Sequence, residues 1–381
     1  MAAYTLNPQD RQRLQDLQTE IARRTENFLG YPVSKDFDYS ALLPFLSYPL
    51  NNLGDPFADS TWKVATREFE REVVTFFAEL LRAPANNWWG YVTNGGTEGN
   101  LYGLYLAREL LPKGMVYYSQ ETHYSVAKNL HFLGMRSIMI RSQKSGEIDY
   151  DDLRETMRIH RDCPPIIFAN IGTTMTEGRD DISAIRAIIS DLALQQSYIH
   201  ADCALSGMIC PFIEPRPPFD FADGADSMSI SGHKFLGSPI PCGVALAKKS
   251  NVDRIARGIA YIGSLDTTIT GSRNGFTPLV LWQRIRELGL DGMRARVEHA
   301  LATAVYACER LRALGVDAWR NPGCITVVLP SVPDAIKEKY QLATANGITH
   351  LICLPNVSTA QIDAFITDWQ SAQQAAAQPA A

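Results

Sequence analysis

Lys234 stands in SMSISGHKFLGSPIPCGVALAKK, just after a short apolar run, with Ser231 and His233 beside it and Gly and Pro residues following. A lysine is ordinarily a solvated surface charge, but these neighbours predict burial, which disfavours the ammonium and lowers the amine pKa. A neutral amine is a nucleophile toward an aldehyde. Asp202 closes the apolar run of YIHADCALSG, placing a carboxylate at the end of a candidate strand. Open α/β sheets bind ligands at such edges, although a lone Asp there more often caps a helix. TNGGTEGN, Thr93 to Asn100, closes one candidate strand and opens a candidate helix. Its glycines, Gly95 and Gly96 first, let the backbone approach a ligand while the helix amides face an anion. Alone, such a turn is equally a tight turn, and it matches neither the G-x-G-x-x-G nor the Walker pattern.

An anion cradle, a carboxylate for a pyridine nitrogen and a buried lysine for an aldehyde jointly suit pyridoxal 5′-phosphate (PLP), with Lys234 carrying it as a Schiff base. His123 in THYSVAKNL follows the run MVYYS and could stack on a planar cofactor; a lone histidine is otherwise structural. NIGTTMTEGRDDI offers the hydroxyls of Thr173 and Thr174 at another strand end, near the cofactor's phenolic oxygen. Asp180 and Asp181 read as caps of the next helix, and no metal site is expected.

Positioning these groups requires an α/β frame. WWGYVTNGG, MVYYS, SIMIRS, PIIFANIG, YIHAD, SMSISG and GVALAKK each have the length of a buried strand, interleaved with amphipathic stretches such as Arg67 to Leu81 and Leu101 to Leu110. The pattern predicts a mostly parallel seven-stranded sheet with helices on both faces. Beyond Pro278, Val297, Leu301, Ala304, Cys308, Leu311 and Leu314 share a helix face. WRNPGCITVVLP, HLICLP and a helix near Ala360 to Ala372 then make a small α+β domain. The expected division is an N-terminal helix and arm at 1–60, a large cofactor domain at 61–277, a small domain at 278–372 and a disordered tail at 373–381. The arm, rich in Pro, Asn and Gly over 32–57, is a candidate dimer contact.

With 381 residues, 46% of them hydrophobic and 20% charged, the chain can bury a sizeable core. A net charge of −5 without a basic stripe argues against nucleic acid and anionic lipid, leaving a small molecule as the default partner. No signal-like start or membrane-length apolar run is present, so the expected location is cytoplasmic. Seven scattered cysteines without a C-x-x-C pair suit buried free thiols in a reducing compartment.

TNGGTEGN, THYSVAK, NIGTT, HADCALSGMICPF, SGHKFLGSPIPCG and ITGSRNG occur in the order and spacing of the group II PLP-dependent amino-acid decarboxylases. The chain most resembles bacterial histidine decarboxylases and plant-type serine decarboxylases, from about Gly30 to Leu351. The resemblance implies the fold type I (aspartate aminotransferase-like) architecture and an obligate homodimer with active sites at the subunit interface. It assigns Lys234 to the Schiff base, Asp202 to the pyridine nitrogen and His123 to stacking. Gly95, Gly96, Thr97, Ser231 and His233 go to the phosphate, Thr174 to the ring substituents and Ala204 to the ring's other face. Ser272 and Arg273 are expected to face the second subunit's site. Tyr261, in AYIGSLDTTITG, is the candidate proton donor to Cα after carbon dioxide leaves; the alternative is a packed aromatic.

The implied reaction is decarboxylation of an L-amino acid to its primary amine, histidine to histamine by likeness. Three expected pocket positions depart from the pattern: Leu265 and Phe276 replace histidines of the histidine enzymes, and Trp62 stands where both relatives carry tyrosine. Burying an imidazole without a polar partner costs about 1 to 3 kcal/mol, and each matched methylene in an apolar pocket gains about as much. A neutral substrate such as leucine, valine or serine is therefore the alternative. Another PLP lyase, an aminotransferase or a non-catalytic PLP-binding protein are the remaining rivals.

Overall fold

The computed structural model describes the backbone of residues 6–259 and 264–377 and the side chains of 6–256 and 266–374. All seven apolar runs form strands: β1 (Trp89–Thr93), β2 (Met115–Ser119), β3 (Ser137–Ile140), β4 (Pro165–Asn170), β5 (Tyr198–Asp202), β6 (Ser227–Ser231) and β7 (Gly243–Ala247). They make one sheet in the order β1-β7-β6-β5-β4-β2-β3. Only β7 runs against the rest, pairing antiparallel with both β1 and β6. β1, β4, β6 and β7 are buried along their whole lengths, as a sheet covered on both faces requires.

The helices follow the 3.6-residue pattern. α1 (Pro8–Thr25) has Asn7 at its N-cap, accepting from the Asp10 amide at 2.8 Å, yet buries no residue. α2 (Arg67–Leu80) buries Val73, Val74, Phe77 and Ala78 and packs on β1. α3 (Gly96–Leu110) lies against β5, β6 and β7. α4 (Ser125–Leu133), α5 (Tyr150–Ile159), α6 (Ile182–Asp191) and the single turn α7 (Lys249–Val252) complete the layers. β8 (Arg257–Ile259) and β9 (Ser264–Asp266) form an antiparallel pair.

α8 (Thr277–Ala313) is two helical runs joined at Gly289, whose φ of 58° a glycine accommodates without strain. Val297, Ala304, Cys308 and Leu311 bury the expected face, while Leu314 lies past the helix end and is exposed. β10 (Thr326–Pro330), α9 (Asp334–Tyr340), β11 (Thr344–Ala345), β12 (Ile348–Ile352) and α10 (Thr359–Ala377) follow, with the three strands in the order β10-β12-β11. α10 continues into the stretch expected to fray from 373. Six of the seven cysteines are buried and all are free. No helix among the described residues is long and apolar enough to cross a membrane.

Candidate active site

The candidate residues collect at the carboxyl ends of strands. Gly95 and Gly96 follow β1, His123 follows β2, Thr174 follows β4, Asp202 ends β5 with Ala204 just after it, and Ser231 and Lys234 end or follow β6. Sheet order brings β6, β5, β4 and β2 side by side, so these ends share one edge, where open α/β sheets bind ligands.

α3 reaches the sheet through glycines. A methyl group on Gly96 would lie 2.7 Å from Ser231 Oγ, on Gly99 2.2 Å from Ser229 Oγ, and on Gly103 2.0 Å from His200 Nδ1. This close approach aims the unpaired first-turn amides of α3 at the edge beside Ser231 and Ala204. Thr97 is exposed there, and its carbonyl accepts from Asn129 Nδ2 at 3.1 Å, tying α4 to the cradle.

Asp202 Oδ2 accepts from Asn100 Nδ2 at 2.8 Å, and its Oδ1 accepts from the Ala204 amide at 3.1 Å. Asn100 Oδ1 lies 3.0 Å from His200 Nε2, whose ring's Nδ1 lies 2.7 Å from Ser227 Oγ. Because the Asn100 amide must donate to the carboxylate, His200 Nε2 donates to Asn100 Oδ1 and Nδ1 accepts from the Ser227 hydroxyl. Full burial drives the His200 imidazolium pKa down to about 3, so the relay holds a neutral ring. The unfolded chain binds this proton near the ordinary histidine pKa of 6.5, and the native chain only near 3. Stability from this group is therefore intact above about 6.5 and lost as the pH falls toward 3. In acid unfolding followed by circular dichroism, His200→Gln is expected to flatten the stability slope across that window; an unchanged slope refutes the neutral relay.

Lys234 lies in a π-turn, His233–Gly237, directly after β6. Burial pushes its ammonium pKa down, while the nearby Asp202 carboxylate works in the opposite direction. His123 is likewise lowered by burial and feels both Asp202 and Lys234, which places the three groups within electrostatic reach of one another. The Ser125 amide donates to His123 Nδ1 at 3.3 Å and Ser125 Oγ lies 2.8 Å from it, fixing the ring. His233 Nδ1 lies 2.9 Å from the Cys242 carbonyl, which turns this histidine toward β7.

Thr174 is exposed at the edge, whereas Thr173 is buried and accepts from the Gly178 amide at 2.8 Å. The loop that carries them is bolted down by Glu177. This fully buried residue has a φ of 55°, and its carboxylate accepts from the Ile325 and Thr326 amides at 2.9 Å, Ser206 Oγ at 3.0 Å and Arg179 at 2.7 Å. His350 of β12 adds Nδ1 at 3.1 Å from the Met175 carbonyl and Nε2 at 2.9 Å from that of Gly30.

Several expectations change. Asp181 caps α6, accepting from the Ala184 amide at 2.8 Å, but Asp180 is no cap. It is buried beneath the site and accepts from the Ile148 and Asn170 amides, both at 2.7 Å, and burial pushes its pKa up to about 7. Arg273, expected at the substrate pocket, is buried and its guanidinium is committed to Glu70 and, at 2.9 Å, to the Gly54 carbonyl. A charge paired in this way clamps the arm to α2 and is not free for a substrate carboxylate. Phe276, expected beside it, packs with Tyr39, Leu42, Leu279 and Val280 at the start of α8. Ser272 accepts from Asn51 Nδ2 at 3.2 Å, and the Trp62 indole donates to the Val64 carbonyl at 2.8 Å with the residue 38% exposed. Among the described residues none of these four hydrogen-bonds to Lys234, Asp202 or His123. Tyr261 and the Leu265 side chain lie outside the described residues.

An edge offering helix amides, an oriented carboxylate, a fixed imidazole and a partly buried lysine fits PLP, and the frame is that of the fold type I enzymes. The pyridoxal-dependent decarboxylase conserved domain matches residues 54–318. Histidine decarboxylase of Mesorhizobium japonicum is 51% identical over 95% of this chain and 98% of its own length. That of Acinetobacter baumannii is 47% identical over 95% and 96%. L-methionine decarboxylase from Streptomyces sp.590, solved in its internal aldimine form, superposes with a TM-score of 0.87 at 26% identity, covering 95% of this chain and 94% of that one. The chain belongs to the group II pyridoxal-dependent decarboxylases and is a PLP-dependent carboxy-lyase acting on an L-amino acid.

Proposed function

We propose that this chain converts L-histidine to histamine and carbon dioxide, with Lys234 as the cofactor lysine. The observation that carries the substrate is near full-length likeness to histidine decarboxylases, 51% against 26% for the methionine enzyme. When bound, PLP supplies an aldehyde that captures amines and a cationic ring that takes up the electron pair left by departing carbon dioxide.

The chain's own residues do the rest. Gly95, Gly96, Thr97, Ser231 and His233 hold the phosphate. Asp202, steadied by Asn100 and the Ala204 amide, keeps a proton at the ring nitrogen. His123 and Ala204 confine the ring from opposite faces, and Thr174 faces its substituents. Lys234, whose ammonium pKa burial lowers, would hold the cofactor's aldehyde carbon through Nζ, and the freed Nζ would take up a proton. Tyr261 is the proton donor to Cα in this reading.

The working unit is a cytoplasmic homodimer. Leu14, Leu17 and Ile21 line one exposed side of α1, and Leu43, Phe45, Leu46 and Tyr48 expose further apolar surface on the arm. Exposed apolar residues on these two segments suit a protein contact, and a second copy of the chain would cover them.

Supplying each of the twenty L-amino acids to the PLP-loaded protein and identifying the amines by mass tests the substrate. Histamine as the sole major product is expected. An aliphatic amine or ethanolamine instead overturns histidine and assigns specificity to Trp62 and Leu265. Pyridoxamine phosphate with a keto acid would mean transamination.

A further inference from the structure

The π-turn that bears Lys234 is too short to satisfy its own carbonyls, which need donors from elsewhere. Four consecutive carbonyls of the turn find them in two distant segments. The Ser34 amide donates to the Lys234 carbonyl at 3.1 Å, and Arg296 Nη2 to that of Phe235 at 3.2 Å. Arg284 Nε donates to the Leu236 carbonyl at 3.0 Å, and the Tyr39 hydroxyl to that of Gly237 at 2.6 Å. Ser34 and Tyr39 belong to the N-terminal arm, Arg284 and Arg296 to α8. Both arginine side chains are nearly buried.

Asp36 joins the two segments. Its carboxylate accepts from Arg296 through both oxygens, with Nη2 to Oδ1 at 3.0 Å, from Arg284 Nη2 at 3.3 Å and from the Ser34 hydroxyl at 3.0 Å. Arg284 Nη2 also donates to the Asp36 carbonyl at 2.9 Å. Fork geometry of this kind fixes direction as well as distance. Arg284 holds the carboxylate with Nη2 and the Leu236 carbonyl with Nε, while Arg296 spans the carboxylate with Nη1 and Nη2 and shares Nη2 with the Phe235 carbonyl and Ser34 Oγ.

We propose that Asp36, with Arg284 and Arg296, is a positioning element for Lys234, holding the arm and α8 as a clamp on the backbone of the lysine turn. The inference rests on the assignment of Lys234 as the cofactor lysine. Backbone movement at the turn is carried directly to Nζ. A displacement of about 1 Å at a reacting group costs on the order of a hundredfold in rate.

The test compares PLP-loaded wild type, Asp36→Ala and Asp36→Glu by three readouts: the pH midpoint of the visible absorbance of the lysine-bound cofactor, kcat and KM for amine release, and thermal unfolding. For Asp36→Ala we expect kcat to fall about 10- to 100-fold with KM changing less than about threefold. Its absorbance midpoint should move by about half a pH unit or more, because Nζ changes its distance from Asp202. Asp36→Glu, which retains the charge, should recover at least half of both effects. A folded Asp36→Ala with wild-type midpoint and kcat overturns the clamp. So does a loss of kcat with an unmoved midpoint and no rescue by Glu, which marks a merely structural residue. If Asp36→Ala fails to fold, Tyr39→Phe decides: it removes one hydroxyl from the Gly237 carbonyl, and an unmoved midpoint there overturns the proposal. A wild type lacking the visible band sinks the cofactor assignment itself, whereas a wild-type band with unaltered variants sinks only the clamp.

Discussion

Lys234→Ala is expected to purify folded, colourless above 400 nm after PLP loading, and without measurable amine release. The fold should survive because the lysine's structural contact is made by its backbone, whose carbonyl accepts from the Ser34 amide. Truncating the side chain leaves that bond in place. Turnover is lost twice over, through the missing covalent anchor and through the missing proton acceptor at Nζ. Proton transfer by a positioned group alone is worth about 10²- to 10⁴-fold. A visible band surviving in this variant would remove Lys234 from the centre of the site.

Asp202→Ala is expected to keep part of its cofactor and lose at least about a hundredfold in kcat, the scale for deleting an electrostatic stabiliser of developing charge. Two effects combine. The ring nitrogen loses the anion that keeps it protonated, and Asn100 Nδ2 loses the acceptor that held it at 2.8 Å. His200 then orients an amide with no target, so the relay from Ser227 ends in a void. Asp202→Asn keeps the volume without the charge and should be nearly as slow. Wild-type kcat in either variant would refute a role for the carboxylate at the ring nitrogen.

Much of this was legible in the sequence because buried strands announce themselves as short apolar runs between turn residues. MVYYS and YIHAD coincide with β2 and β5 residue for residue. Strand direction is not written in such runs, so the antiparallel setting of β7 emerged only from its pairing. The candidate site residues were readable because each ends or closely follows a strand. Asn100 and His200 lay in plain view inside TNGGTEGN and YIHAD, and a histidine within an otherwise apolar run was the available signal of a buried polar partner. Adjacent aspartates at 180 and 181 looked alike in sequence and took opposite roles, because only Asp181 sits at the helix start while Asp180 turns under the sheet. The partner of Arg273 was hidden for a related reason: GSRNG carries no mark of Glu70, about two hundred residues earlier, with which it pairs. Asp36, Arg284 and Arg296 meet across similar gaps, and pairings of that separation belong to tertiary packing rather than to local pattern.

The burial of Glu177 bears on how the cleft can move. Its carboxylate receives two amides at the start of β10, and His350 of β12 grips the carbonyl next to Thr174. The threonine loop thus has no free joint of its own and is geared to the strand pair behind it. An opening on that flank would have to carry the loop and the strand pair together or break these bonds, with Thr174 riding on the shared face.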